Sequence, residues 1–252
     1  MSVSETAAGI LLPDTIVRHP VNTNCRVVVG QAPPHELTQF ERDDIERIWN
    51  DEYQSRGHSI FDGPIFSVTS LTESCVTVIP ASYKPFIAQV RIPDMFSKLK
   101  IQPLAITVVT TCADGFVFGQ RSESVAVHSF KWEVGPSGTV DSENAEPGSV
   151  LDVMAVARRE LDEELALSLP PDASLDVIAA FEDKDLHCFD LVMRADTGLS
   201  RQDIMNAFGQ RSTAEYRDIA VVSPKNVIEF VKSDDRRWTP ASLHILSALN
   251  VI

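Results

Sequence analysis

The sequence predicts an α+β fold, and three observations support this class. From residue 104 onward the predicted order is strands, a helix, strands and a helix, which differs from a run of βαβ units. Residues 104–111 and 116–121 are apolar, β-branched runs on either side of the turn Ala113-Asp114-Gly115, a pattern typical of a hairpin. Residues 149–167 carry strong helical signals and are followed by Pro170-Pro171, which stops a helix.

The first 99 residues predict a smaller α+β segment. The pattern predicts an irregular start over residues 1–20 and irregular chain again over 91–102. The other elements expected here are a strand at 25–30, a helix at 37–53, a hairpin formed by 60–68 and 75–79, and a short helix or ordered loop at 82–88. We therefore expect two units, residues 1–99 and 100–252. Substrate recognition is the hypothesis for the role of the first unit.

The second unit continues beyond its first hairpin with a strand at 130–134 and a loop that carries Gly135 and Gly138. Ser149 is the expected N-cap of the long helix. The remaining elements are expected as strands at 175–181 and 187–194, a helix at 201–208, a strand at 219–222, and helices at 225–231 and 240–249.

Charge and composition exclude some function classes. A chain of 252 residues with a formal net charge of -14 lacks the basic face of a general nucleic-acid binder, so no nucleic-acid partner is expected. Four scattered cysteines show no zinc spacing, which favours free thiols in a reducing compartment. The N-terminus has neither a signal peptide nor a membrane span, so we expect a cytoplasmic protein without a membrane partner.

Three carboxylates crowd one face of the long helix. Glu160, Glu163 and Glu164 are three and four positions apart, so their side chains share a face and repel one another. A divalent cation offsets such repulsion, and carboxylate oxygens suit Mg²⁺ or Mn²⁺. The alternative is a solvated acidic face that binds nothing.

The motif Arg159-Glu160-Leu161-Asp162-Glu163-Glu164-Leu165-Ala166-Leu167 follows a strand and the loop Gly135-Pro136-Ser137-Gly138-Thr139-Val140. This arrangement resembles the catalytic signature of the Nudix hydrolase family, with Ala166 where the family has glycine. The resemblance implies a Nudix-type α/β/α sandwich with a mixed sheet, preceded by the smaller segment. It also implies that Glu160, Glu163 and Glu164 hold Mg²⁺ or Mn²⁺ and that Arg159 braces a loop acid.

The resemblance departs from the family pattern in the loop before the helix. By strict spacing the first glutamate of the motif would fall at Leu151. The neighbouring acids Glu143, Glu146 and Asp152 are all out of register. The family often adds a carboxylate from a later loop, for which Glu215 is the first candidate and Asp218 the second. A surface turn acid is an equally open reading of both. The acidic turn of Glu182, Asp183 and Asp185 is expected to be solvated.

A second resemblance concerns the N-terminal segment. Phe61-Asp62-Gly63-Pro64-Ile65-Phe66 and Tyr83-Lys84-Pro85-Phe86 are similar to the leader region of the Nudix enzymes that split UDP-glucose and UDP-galactose. Substrate contacts are therefore expected from Tyr83 and Lys84, and also from Arg121 and Gly138. For Tyr83 the open alternative is packing against Phe86, with Lys84 in water; for Arg121 it is a surface charge.

Together the resemblances imply metal-dependent hydrolysis of the diphosphate in a nucleoside diphosphate linked to another moiety, for which a UDP-sugar is one candidate. The products would be a nucleoside monophosphate and a phosphorylated group. A catalytically impaired Nudix-fold protein that binds nucleotides or regulates is the alternative, because the first motif glutamate is displaced and Ala166 replaces glycine. Action on prenyl diphosphates is a third possibility.

Overall fold

The computed structural model describes residues 3–32, 37–56, 60–143, 145–233 and 237–252. The described strands are β1 Val3–Glu5, β2 Leu11–Pro13, β3 Ile16–His19, β4 Arg26–Val29, β5 Pro64–Leu71, β6 Cys75–Ser82, β7 Leu104–Cys112, β8 Gly115–Arg121, β9 Trp132–Val134, β10 Ser137–Thr139, β11 Val150–Leu151, β12 Leu175–Asp183, β13 Cys188–Asp196 and β14 Tyr216–Val222. The described helices are α1 Gln39–Ser55, α2 Tyr83–Arg91, α3 Phe96–Leu99, α4 Val153–Leu165, α5 Arg201–Phe208, α6 Val227–Lys232 and α7 Pro240–Ala248.

The main sheet is mixed, which confirms the predicted α+β class. Its strand order is β14-β8-β7-β13-β12-β3, with β9 added to β8 and β10 added to β7. Strands β13 and β7 run parallel, and their register places Asp190 beside Ala105. The two faces of this sheet pack into different apolar clusters because side chains alternate along a strand. One cluster includes Leu161 of α4, and the other includes Leu246 of α7.

The smaller sheet has the order β11-β4-β6-β5. Each sheet contains one strand from the opposite side of the predicted boundary at residue 99. Strand β3 pairs with β12 in the main sheet, while β11, which directly precedes α4, pairs with β4 in the smaller one. Valines of β4 and β6 belong to the same apolar cluster as Leu161. The predicted division into residues 1–99 and 100–252 stays a prediction, and hydrogen-bonded strands cross it.

Four local predictions were wrong. The loop expected at residues 135–140 contains the short strand β10, which pairs with β7. Residues 1–20 contain three short strands instead of an irregular start, because β3 gains its hydrogen bonds from a distant partner strand. Residues 91–102 include a 3₁₀ turn, Pro93–Met95, and the short helix α3. Helix α4 begins later than expected: the side chain of Asp152, not Ser149, caps it by accepting from the Ala155 N–H at 3.0 Å.

Helix α4 ends at a residue with left-handed backbone. Ala166 has φ of 53°, and its N–H donates to the carbonyl of Asp162. This conformation suits glycine, because a Cβ crowds the following carbonyl there. The position where the family signature has glycine therefore does require positive φ, and alanine accepts the strain. Separately, no helix in the described part of the chain is long and apolar enough to cross a membrane.

Candidate functional site

Helix α4 places its glutamates at different depths. Glu160 and Glu164 lie one turn apart on the same face and are 6% and 2% exposed, whereas Glu163 is half-buried. Burial raises the pKa of Glu164 well above its ordinary value, and the nearby carboxylates of Glu215 and Glu133 raise it further. Carboxylates are therefore crowded on this helix, as predicted, and the crowding involves the two buried acids, Glu160 and Glu164.

Gly138 supports the carboxylate of Glu160. Strand β10 pairs with β7 and brings Gly138 directly beneath this side chain. A Cβ atom at position 138 would lie 2.2 Å from Cδ of Glu160. Glycine is therefore the residue that allows Glu160 its position, and the predicted substrate contact of Gly138 stays a prediction.

Arg159 braces the loop against the helix through an acid that the sequence analysis missed. Its Nη1 lies 2.8 Å from Oδ2 of Asp141, and its Nη2 lies 3.0 Å from Oε1 of Glu160. The partner is thus Asp141, and none of Glu143, Glu146 or Asp152. The insertion in the loop made the spacing counted from the helix misleading. Asp141 is the first acidic residue after Gly138, so a count forward from that glycine would have found it.

Glu215 joins the carboxylates of α4 and Asp218 does not. Backbone N–H groups of Ser212 and Thr213 donate to the carbonyl of Glu163 and hold the loop before β14 against the helix. Although Glu215 is exposed as a residue, desolvation where its carboxyl group faces the pocket raises the pKa of that group. Asp218 is exposed, and its carboxylate accepts from the Ile219 N–H. Of the two candidate acids, only Glu215 lines the pocket described next.

A pocket of about 560 Å³ connects the helix carboxylates to the N-terminal segment. Arg159, Glu160, Glu163 and Glu215 line it on one side, together with Gly138. The N-terminal segment contributes Phe61, Gly63, Ile65, Tyr83 and Phe86. This volume matches the usual size of small-molecule sites.

The predicted substrate contacts have different fates. Tyr83 lines the pocket and also packs against Phe86, with ring centroids 5.9 Å apart, as the alternative reading had it. Lys84 does not line the pocket. Its ammonium group pairs with Glu46 and lies 6.0 Å from the centroid of the Trp49 ring, so the structure directs it toward α1. This geometry therefore does not favour the predicted contact between Lys84 and the substrate.

Arg121 lines the pocket but is already paired. Its Nη1 lies 2.8 Å from Oε1 of Glu133, which also accepts from the Tyr216 hydroxyl at 2.9 Å. Glu133 is 5% exposed and was missed, because a glutamate on an alternating strand gives no sequence signal. The surface-charge alternative for Arg121 is excluded by its burial, and its predicted phosphate contact stays a prediction.

Two acids of the main sheet also line the pocket, and both were missed. Asp183 is 6% exposed and accepts from the N–H groups of Asp185 and Leu186, so the expectation that this acid is solvated was wrong. Asp190 accepts a hydrogen bond from the Thr107 hydroxyl at 3.0 Å. Burial raises the pKa of Asp190 to about 6.

The donor chemistry suits a divalent cation, although the carboxylates are not arranged as a finished site. One oxygen of Glu164, Oε2, is buried without a hydrogen-bond partner among the described residues. Glu160, Glu164 and Glu215 all have raised pKa values, chiefly from burial, which a bound cation would reverse. No three His, Cys, Asp or Glu side chains within the described ranges converge closely enough to hold an ion.

Comparisons with known proteins add a likeness of fold only. No family profile and no curated protein matches the chain. A Nudix hydrolase from Nitrosomonas europaea matches with 14% identity over 59% of this chain and 88% of that one, at a TM-score of 0.41. A MutT protein from Methanosarcina mazei Go1 matches with 17% identity over 59% and 95%, at a TM-score of 0.38.

A third solved structure, a Nudix-family hydrolase from Clostridium perfringens, matches with 14% identity over 59% of this chain and 96% of that one. Its TM-score is 0.35. At these identities and TM-scores the likeness carries no argument about activity. The function of this chain has to be argued from the residues of its own pocket.

Proposed function

We propose that this protein is a Nudix-type hydrolase that cleaves the diphosphate linkage of a nucleoside diphosphate joined to another moiety. The products would be a nucleoside monophosphate and a phosphorylated group. The observation that carries the proposal is the placement of Arg159, Glu160 and Glu163 along one wall of a ligand-sized pocket. A merely solvated acidic face would not bury Glu160 and Glu164, nor place Glu160 against a strand position that only glycine fits.

The residues of the chain have distinct parts in this proposal. Glu160, Glu163, Glu164 and Glu215 would hold Mg²⁺ or Mn²⁺, which neutralises the diphosphate and acidifies a bound water. Arg159 positions Glu160 and is itself fixed by Asp141. The pair of Arg121 and Glu133 shapes the pocket between β8 and β9. A UDP-sugar is our proposed substrate class on the resemblance of the N-terminal motifs.

Turnover of a substrate panel tests the proposal. The panel contains UDP-glucose, UDP-galactose, ADP-ribose, a dinucleotide and a prenyl diphosphate, each assayed for monophosphate release with Mg²⁺ or Mn²⁺. We expect Glu163→Gln and Glu164→Gln to lower kcat by about 100-fold or more, because each removes a charge placed for the transition state. Asp162→Asn is the matched control, since Asp162 is exposed on the same helix.

If the Glu163→Gln and Glu164→Gln variants both keep the activity of the wild type, the catalytic assignment of these residues is wrong. The second candidate is a Nudix-fold protein that binds nucleotides without turnover. It is favoured by the finding that no three acidic, Cys or His side chains of the described residues form a ready ion site. Nucleotide binding with no product at any Mg²⁺ or Mn²⁺ concentration would decide for that candidate.

A further inference from the structure

Asp190 is a half-buried acceptor that the proposed hydrolysis does not use. Its carboxylate lines the pocket, and its single hydrogen bond within the described chain is the one from Thr107 to Oδ1. Oδ2 therefore has no protein partner among the described residues. Oδ2 is not sealed from solvent but open to the pocket, so a bound ligand can donate to it in place of water.

The surroundings of Asp190 are apolar and aromatic. Cys188 and Asp190 share one face of β13, because side chains alternate along a strand. Cys188 packs against the cluster that contains Ile65 and Phe86, with Tyr83 and Ala126 beside it. All of these side chains line the same pocket. This end of the pocket thus offers apolar walls and the Asp190 carboxylate, while Asp183 on the neighbouring strand already accepts from two backbone N–H groups.

A chain of hydrogen bonds connects Asp190 to the carboxylate end of the pocket. The hydroxyl of Thr107 donates to Asp190 and lies 3.0 Å from Oγ of Ser137. Ser137 precedes Gly138, on which the Glu160 carboxylate lies. One ligand can therefore occupy both ends: its diphosphate beside α4 and its other part beside Asp190.

We propose that the Asp190 end of the pocket binds the nucleobase and that Oδ2 of Asp190 accepts a hydrogen bond from an N–H group on the base edge. A base has apolar faces and a polar edge, which match the apolar walls and the Asp190 carboxylate. A sugar carries hydroxyls all round and would leave most of them unpaired here.

Charge argues against an anionic group at this end. Among the acids that line the pocket, Glu133 and Asp183 lie near enough to Asp190 for their charges to act on it. The bases that line the pocket are Arg121 and Arg159, and His128 is neutral near pH 7 because burial lowers its pKa to about 4. A phosphate or carboxylate placed beside Asp190 would meet repulsion, whereas the edge of a neutral base would not.

Saturation-transfer NMR without added metal tests this inference, which deepens the proposed function and rests on it for the identity of the ligand. The probes are adenosine, guanosine, cytidine and uridine, each compared with an analogue whose base N–H groups are methylated. We expect at least one nucleoside to receive saturation from the wild-type protein. Methylation of its base should reduce the effect about tenfold, the usual value of a hydrogen bond to a buried charge.

Asp190→Asn is the decisive variant. Thr107 keeps its acceptor in the amide oxygen, so the amide N–H₂ takes the place of Oδ2 and presents donors to the donors of the base. We expect the same loss of about tenfold in saturation transfer. Asp190→Ala gives a second variant that removes the acceptor, and Asp176→Asn on the neighbouring strand is an exposed control that should leave binding unchanged.

Each outcome decides the inference separately from the proposed hydrolysis. If no nucleoside receives saturation, or if both Asp190 variants bind it as the wild type does, the inference is overturned even where the substrate panel is hydrolysed. If binding depends on Asp190 and on the base N–H while no substrate is turned over with Mg²⁺, the nucleobase site stands and the proposed hydrolysis fails.

Discussion

At the scale of single residues, burial decides which acids matter. Glu160, Glu164 and Asp183 are buried and Asp190 is half-buried, whereas Asp162 and Asp218 are exposed. Close packing also explains why position 135 is glycine. A Cβ at position 135 would lie 1.9 Å from the hydroxyl oxygen of Tyr216, so Gly135 allows Tyr216 to donate its hydrogen bond to Glu133. The chemistry of this pocket thus depends on small residues as much as on acids.

Asp190 leads to a prediction about stability and pH. Burial raises its pKa from 3.8 to about 6, so the folded protein holds this proton more tightly than the unfolded chain does. The contribution of this group to the free energy of unfolding therefore falls as pH rises from about 4 to 6 and stays low above that range. At pH 7.5 Asp190→Asn should be more stable than the wild type by up to about 3 kcal/mol.

Urea unfolding of both proteins between pH 4 and 8 measures this difference. We expect the gain of Asp190→Asn to vanish near pH 4, where the wild-type carboxyl group is protonated in the folded state. Asp176→Asn should run parallel to the wild type throughout. A gain that is the same at every pH would contradict the burial of an ionisable group at position 190.

At the scale of elements, the C-terminal end of α1 is hydrogen-bonded to the loop between β8 and β9. The guanidinium of Arg56 donates to the carbonyls of Val125 and Ala126 at 3.0 and 2.9 Å, and both residues line the pocket. Glu52 holds Arg56 at 2.9 Å and also binds Arg91 of α2. The N-terminal helices therefore position one wall of the pocket from outside it.

Arg56→Ala should loosen this loop without unfolding the protein. The loss of two charge-assisted hydrogen bonds, about 1.5–3 kcal/mol each at most, favours local opening. We expect amide hydrogen exchange of residues 122–131 to accelerate by about tenfold or more, with little change in α4. Arg47→Ala on the exposed face of α1 is the control. Unchanged exchange in the loop would show that other contacts hold it.

At the scale of the whole molecule, the exchanged strands join the two sheets into one cooperative structure. Strand β11 completes the smaller sheet and leads directly into α4, while β3 completes the main sheet from the N-terminal side. One apolar cluster includes Val27 and Val78 from the smaller sheet and Ile106 from the main sheet. Removal of either part would expose a large area of the other.

We predict that residues 100–252 do not fold alone. Without the N-terminal part, β12 loses its edge strand and the cluster around Ile106 loses the valines of β4 and β6. Urea unfolding of the full chain should show one transition by circular dichroism and by tryptophan fluorescence. The fragment should show none, and a cooperative transition of similar midpoint in the fragment would contradict the prediction.

The sequence by itself determined several local elements and the position of the glutamates on α4. The hairpin of β7 and β8, helix α5 and the glutamates of α4 could be predicted because they depend on neighbours two to four residues away. The predicted α+β class followed from the order of these elements. The same information could not reveal β3 or β10, since an isolated short strand acquires its hydrogen bonds only from a distant partner.

Only the tertiary structure decided which residues share the pocket. Glu133 and Asp190 line the pocket from strands whose register no local pattern reveals, and Asp141 pairs with Arg159 from the loop before α4. Burial, which raises the pKa values of Asp190 and Glu164, is a property of the packed molecule. The sequence therefore specified the carboxylates of one helix, and the packing of distant strands made them part of a site.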